Sequence, residues 1–332
     1  MDLSVNYLGL KLKSPVVVGS SSLTATLDRL KKIEASGAGA VVLKSIFEEE
    51  IYNEYRSILE KDKNEEHPDL NYLDYYDYKI KEDNIKAYLQ LIRDAKATLS
   101  IPVIASVNCV SSWEWSFFAK KIQEAGADAL EVNLFTLPSD FNLTSEKVEK
   151  TYFQVIDNIK KAVTIPVSVK LSYYFADLAA FVKRISDRGI DGVVLFNRFF
   201  HPDFDIENFT LVPTNVLSQD SDLAISLRWM SIISGRVDCN LIASTGVHDG
   251  ASIIKEILAG ADAVQVVSAL YKNGIESISG MLQDVKDWME KHGFDSLDDF
   301  RGKMSQVNSP NPAEYERVQF MRYFENKKYD LD

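Results

Sequence analysis

"AGADALEVNL" (125–134) and "AGADAVQVVS" (259–268) are one phrase written twice in the chain. In each copy a glycine suited to the left-handed end of a helix is followed within a few residues by a short apolar run. The run is too short for a helix and too apolar for a half-exposed strand. It fits a parallel strand buried on both faces. Working outward from the two copies, "SGAGA" (36–40) and "RGIDG" (188–192) open the same kind of run. Between these four lie four more, entered by "SPV", "IPV", "IPV" and "CNL".

Eight runs result: 15–20, 40–45, 102–107, 129–134, 166–171, 192–197, 240–245 and 263–268. Helical stretches such as "SSWEWSFFAKKIQEAG" (111–126) and "SEKVEKTYFQVIDNIKKAV" (145–163) separate most of them. A βαβα unit repeated four times closes naturally into a (β/α)8 TIM barrel, whereas an open doubly wound sheet needs no such regularity. One barrel domain over 1–332 is therefore expected, with an extended loop insertion after strand two, at about 48–82. That segment, with "EEEIYNEY" (48–55) and "YLDYYDY" (72–78), is long for a loop in a compact domain. It is read as a lid or partner contact at the active-site face, against a solvated insertion as the plainer alternative.

Composition excludes several function classes. The 332 residues are 46% hydrophobic and 26% charged, with a net charge of −12 and no basic cluster fit to grip a phosphate backbone, so no nucleic acid partner is expected. No apolar run reaches the roughly 20 residues that span a bilayer, so no membrane association is expected either. The start "MDLSVNYLGLKLKSP" lacks a basic segment before an apolar core. A cytoplasmic protein with Cys109 and Cys239 reduced is expected. Cysteine and histidine spacing offers no metal site. His67, His201 and His248 read most simply as loop and helix-start residues, and the two N-x-T triplets as chance.

In a barrel, chemistry sits at the C-terminal ends of the strands. Those ends bring Ser20 and Ser21, Lys44 and Ser45, Asn108 and Cys109, Asn133 and Thr136, Lys170, Asn197, Thr245 and Gly246, and Val267 and Ser268. A lysine closing an apolar strand is costly unless its ammonium meets an anion or a dipole, or snorkels to solvent. Lys44 in "VLKS" and Lys170 in "SVKL" occupy matching places in the repeat, which favours the first option. "ASTGVHDG" (243–250) offers small residues and a helix start near Asp249, the kind of place where barrels bind phosphate.

Taken in order, "PVVVGSSSLT", "VVLKS", "PVIASVNCVSSWEW", "AGADALEVNL", "IPVSVKLS", "AGADAVQVVSALYKNG" and "GFDSLDDFRGKM" resemble the class 1 dihydroorotate dehydrogenase family, over nearly the whole chain. The resemblance implies an FMN-binding barrel. It places Ser20, Ser21, Lys44, Ser45, Asn108, Asn133, Lys170 and Asn197 along the flavin, with Lys170 where negative charge gathers on reduction. Thr245, Gly246, Val247, Val267 and Ser268 are placed at the phosphate. It further implies that dihydroorotate is oxidised to orotate in pyrimidine biosynthesis, with hydride passing to flavin N5, and that a soluble acceptor such as fumarate reoxidises the flavin. Asn71, Asn133 and Asn197 are the implied substrate contacts, and a homodimer is implied.

The departures from the family pattern are specific. Where the family reads "NLSCPN", with Cys as base, this chain reads "NLFTLP": Asn133 is kept, Thr136 stands at the base position and Pro138 replaces the second Asn. Thr136, Lys44 and Lys170 form the expected catalytic set, although an alcohol needs an adjacent proton acceptor that a thiol does not. The substrate loop survives only as Asn71, and the glycine-rich segment before helix six reads "LSQDSDLAISLR" (217–228). Two alternatives therefore stand beside the first reading. One is an FMN oxidoreductase acting on another cyclic or unsaturated substrate, and the other a flavin-free lyase or aldolase using Lys170 in a Schiff base.

Overall fold

The computed structural model describes residues 1–47, 85–108, 114–134, 136–199, 201–214 and 216–317. The insertion read at about 48–82, together with Asn71, His67 and Cys109, lies outside them. The chain enters through an antiparallel hairpin, β1 (Val5–Tyr7) and β2 (Leu10–Leu12). Leu8 and Gly9 make its two-residue turn with φ of 55° and 70°, the mirror-image geometry that matches strand twist. Tyr7 and Leu8 are buried, and a Cβ on Gly192 would meet the Leu8 side chain at 2.7 Å, so the hairpin closes the floor of the barrel.

Eight parallel strands close on themselves in chain order above it. They are β3 (Val16–Val18), β4 (Ala40–Val42), β6 (Val103–Asn108), β7 (Ala129–Leu134), β8 (Val167–Leu171), β9 (Gly192–Leu195), β12 (Asn240–Ser244) and β13 (Ala263–Val266). β13 pairs with β3, and β4 with β6, completing the ring; β5 (Ile46–Phe47) adds a short parallel pairing beside the end of β6. The fold is the expected (β/α)8 barrel. The "ALEVNL" run is a strand from end to end, whereas "GVVLFN" stops at Leu195. An antiparallel hairpin, β10 (His201–Asp205) and β11 (Thr210–Thr214), comes after strand six; the βα rhythm gave no sign of it.

Helices α1 (Leu27–Ala35), α2 (85–98), α3 (Glu114–Glu124), α4 (Ser145–Ala162), α5 (Leu178–Ser186), α6 (Leu223–Ile233) and α7 (Gly250–Ala259) wrap the outside. After strand eight come α8 (Ser268–Asn273) and α9 (Ser277–His292), and α10 (Ala313–Glu316) lies near the described C-terminal end. The repeated phrase now has a physical cause. Its glycines, Gly37, Gly126, Gly189 and Gly260, all take positive φ at helix ends. Its aspartates reach across to the neighbouring odd strand and accept an N–H at that strand's start. Asp128 accepts from Val103 (2.7 Å), Asp191 from Val167 (2.8 Å) and Asp262 from Leu241 (2.8 Å). Each bond satisfies a donor the ladder leaves over. In the first repeat Gly39 stands there instead, because a Cβ would sit 2.1 Å from the Ser14 carbonyl oxygen.

Candidate active site

The strand ends open into a cavity of about 500 Å³, within the usual range of small-molecule sites. Its floor and ring-side wall are Ser20, Lys170, Asn197, Ser244 and Gln265. Its far end is Thr245, Gly246, Val247, Val267, Ser268 and Tyr271, with Arg198, Val216, Leu217 and Ser218 along the side. Eight residues expected at a cofactor thus line one space: Ser20, Lys170, Asn197, Thr245, Gly246, Val247, Val267 and Ser268.

Lys170 stands on β8 with its side chain inside the barrel, 7% exposed. Its ammonium donates to Gln265 Oε1 at 2.7 Å, and Gln265 Nε2 donates to Glu131 Oε2 at 2.5 Å. Glu131 is wholly buried. Burial pushes its carboxyl pKa up, and the Lys170 charge opposes that rise; burial likewise pushes Lys170 down against the pull of Glu131.

A second network is centred on Asn133. Ser20 Oγ lies 2.9 Å from Ser45 Oγ, and Ser45 Oγ lies 2.7 Å from Ser106 Oγ. Asn133 Nδ2 donates to both Ser45 and Ser106 at 3.2 Å, and Asn197 Nδ2 donates to Asn133 Oδ1 at 3.4 Å. Asn133 therefore joins strands one, two, three and six across the barrel interior. Ser45 and Asn133 reach the cavity through this belt rather than by lining it.

The far end is a turn under strain. Thr245 and Gly246 both have φ of 82°, a region that costs a threonine about 1–3 kcal/mol. The Thr245 hydroxyl holds the turn by donating to the Phe196 carbonyl at 3.1 Å. The "LSQDSDLAISLR" segment, which lost its glycines, nevertheless packs here. Ser218 N–H donates to Ser268 Oγ (2.9 Å), Gly246 N–H to Ser218 Oγ (3.4 Å) and the Lys272 ammonium to the Ser218 carbonyl (2.8 Å). His248 Nε2 lies 3.0 Å from Ser218 Oγ, and burial pushes the imidazole pKa down.

Other expected residues lie elsewhere. Ser21 caps a short 3₁₀ turn, accepting from the Leu23 N–H at 3.3 Å. Lys44 is half-buried after β4, its N–H 3.5 Å from the Thr24 carbonyl, and Asn108 ends β6 half-buried; neither lines the cavity. Thr136 is exposed. Its N–H donates to Tyr152 Oη at 2.6 Å, and it lines a separate small cleft with Pro138, Tyr152, Phe175 and Asp177. Burial raises the Tyr152 pKa, so this phenol is no base for Thr136 near neutrality, and Asp140 is engaged by the Asn142 N–H in its own turn. Sequence reading passed over Gln265, Ser218, Arg198 and Tyr271. Only Gln265 carried a signal, as a polar residue inside an apolar strand, a sign that Glu131 shares.

The sequence model of the family described as "Dihydroorotate dehydrogenase" matches residues 2–289. The chain belongs to the dihydroorotate dehydrogenase family. It is similar to proteins named dihydroorotate dehydrogenase B (NAD(+)), catalytic subunit. The one from Thermoplasma volcanium is 26% identical over 314 residues, covering 91% of this chain and 98% of that protein. The one from Pyrococcus abyssi is 25% identical over 313 residues (92% and 100%), and the one from Methanocaldococcus jannaschii 25% over 305 (88% and 95%). Members of the dihydroorotate dehydrogenase family are FMN-dependent oxidoreductases acting on CH–CH groups, and this chain is one of them. That assignment displaces the flavin-free Schiff-base reading of Lys170. The cavity fits the cofactor: a buried ammonium and amide-bearing groups at one end, a strained amide turn at the other, and room for a mononucleotide between. Among the described residues no helix is long and apolar enough to cross a membrane, and no cluster of His, Cys, Asp or Glu is arranged to hold a metal.

Proposed function

We propose that this protein oxidises dihydroorotate to orotate in pyrimidine biosynthesis, with FMN held in the 500 Å³ cavity. Bound FMN supplies the acceptor for the two electrons withdrawn from the substrate CH–CH bond. Lys170, Ser20 and Asn197 would hold the ring end, and the backbone amides of Thr245, Gly246, Val247 and Ser268 the phosphate. Lys170 contributes a fixed positive charge in a water-poor site, where preorganised charge is most effective. The observation that supports this reading is the convergence of eight expected cofactor residues on one cavity that has Lys170 on its floor.

The acceptor is read from the relatives. Their names specify NAD(+) and a catalytic subunit, which favours NAD(+), reached through a second subunit, over fumarate. The β10–β11 hairpin offers a surface for such a subunit or for the expected homodimer: Phe204, Ile206, Phe209 and Leu211 are all exposed, Phe209 by 93%.

A second reading, another cyclic or unsaturated substrate, is favoured by Thr136. Its exposure and its separate cleft leave the expected base away from Lys170, and Arg198 brings a further cation to the cavity wall. The test is anaerobic titration of the yellow FMN-loaded protein with dihydroorotate. Bleaching of the flavin is expected under the first reading. A flavin untouched by dihydroorotate but reduced by another cyclic amide establishes the second.

A further inference from the structure

The polar groups beneath the cavity form a line with a direction. An ammonium only donates and a carboxylate only accepts, so Gln265 must turn its oxygen to Lys170 and its NH2 to Glu131, as the 2.7 and 2.5 Å contacts show. The amide is thus polarised from both ends. Lys170 alone of this line, apart from Gln265, faces the cavity; Glu131 stands behind, wholly buried.

The other oxygen of Glu131, Oε1, has no hydrogen-bond partner among the described residues. Ser168 is the register partner of Glu131 on the adjacent strand, and the Tyr7 phenol from the floor hairpin feels the Glu131 charge. An ionised carboxylate with one bare oxygen in such a place is poorly solvated. A protonated one carries no charge that needs solvating there.

We propose that Glu131 is the proton store of the cofactor site, taking up one proton from solvent as two electrons come onto the cofactor that Lys170 faces and releasing it when they leave. This rests on the reading that puts Lys170 at the FMN ring. In the oxidised protein the charges of Glu131 and Lys170 offset each other. Two electrons and one proton add one net negative charge on the cavity side of Lys170. The ammonium then serves that charge, and a second negative charge in the same low-dielectric interior favours the protonated form of Glu131. One proton on Glu131 restores the balance, and oxidation by the acceptor reverses both changes.

The titratable group on β8 that faces Glu131 is Lys170. From the hairpin it is Tyr7, and from α2 it is Tyr88. Gln265 on β13 and Ser106 on β6 are neutral. Burial raises both tyrosine pKa values above their ordinary range, so neither changes charge at working pH. Glu131 acts through Gln265 and Lys170 and is a positioning residue.

The reduced-minus-oxidised infrared spectrum of the FMN-loaded wild-type protein reads this without turnover. The expected result is a protonated-carboxyl band gained on reduction, shifted in D2O, and missing in Glu131→Gln. If Glu131→Gln does not retain FMN, Glu131→Asp moves the band instead of abolishing it. Proton uptake by the wild-type protein alone gives a second readout, with two protons bound per electron pair. A yellow protein that gains no such band, keeps it in Glu131→Gln, or binds one proton per electron pair overturns the role of Glu131. A protein that takes up no FMN overturns the site reading beneath it.

Discussion

Glu131, inside the barrel, and Glu256, between α6 and α7, are both fully buried glutamates, and the chain treats them in opposite ways. Glu131 has an amide at 2.5 Å and a lysine one step beyond. Neither carboxyl oxygen of Glu256 has a hydrogen-bond partner among the described residues. Burial, opposed only by the nearby Ser226, pushes its pKa up to about 8. A buried acid with a counter-charge is a device that can be set and reset. One without remains protonated at neutral pH and acts as a piece of packing. Depth of burial alone does not distinguish a working residue from a passive one; partners do.

The largest effect that separates the two acids is one of pH. Glu256 binds its proton more tightly folded than unfolded, so its contribution to stability is full below about pH 4.5 and is lost as pH rises towards 8. Glu256→Gln should remove this dependence. Its stability relative to wild type should climb by roughly 1.4 kcal/mol per pH unit across that window, several kcal/mol in all. Denaturant melts at pH 5 and pH 8.5 measure the difference, and a constant offset at both would show that Glu256 does not hold its proton more tightly in the folded protein.

Next comes Lys170→Met. It strands Glu131 without its counter-charge and should destabilise the protein by about 3–5 kcal/mol, the usual cost of breaking a buried pair from one side. Adding Glu131→Gln to Lys170→Met should recover most of that loss. A double variant no better than the single one would show that the two charges are not coupled.

Gly246→Ala sharpens the comparison at the other end of the cavity, where geometry rather than charge is decisive. A Cβ there would lie 2.2 Å from the Leu223 nitrogen at a φ of +82°, so a loss of about 1–3 kcal/mol in Tm-derived stability and weaker FMN retention are expected. The smallest effect belongs to the rim. Thr136→Ala should change turnover by less than about threefold, against the roughly 100-fold or greater loss expected of a general base. Steady-state kinetics with the reducing substrate decides between them.

What the sequence made legible was whatever the backbone repeats. The glycines and aspartates of the doubled phrase set helix ends and strand starts, so the barrel and the strand-end residues could be placed from spacing. Lys170, Asn133 and the 245–247 turn were legible because strands hold them. The β10–β11 hairpin was not, since it interrupts the rhythm with an exposed sheet of its own. Nor was Ser218, whose role depends on a loop folding back to Ser268 and Lys272, fifty or more positions away. Thr136 was placed by alignment to a motif position. Two residues past the strand, side-chain direction is no longer fixed by pleat, and its N–H bonds to Tyr152 instead.

The central claim is that Lys170 presents its charge to the bound FMN. The midpoint potential of FMN in the Lys170→Met/Glu131→Gln variant, in which no buried charge is left stranded, tests it most directly against wild type. The expected result is a fall corresponding to a preference for the reduced cofactor weaker by roughly tenfold or more. An FMN bound as tightly as before, with its potential unmoved, would contradict the account.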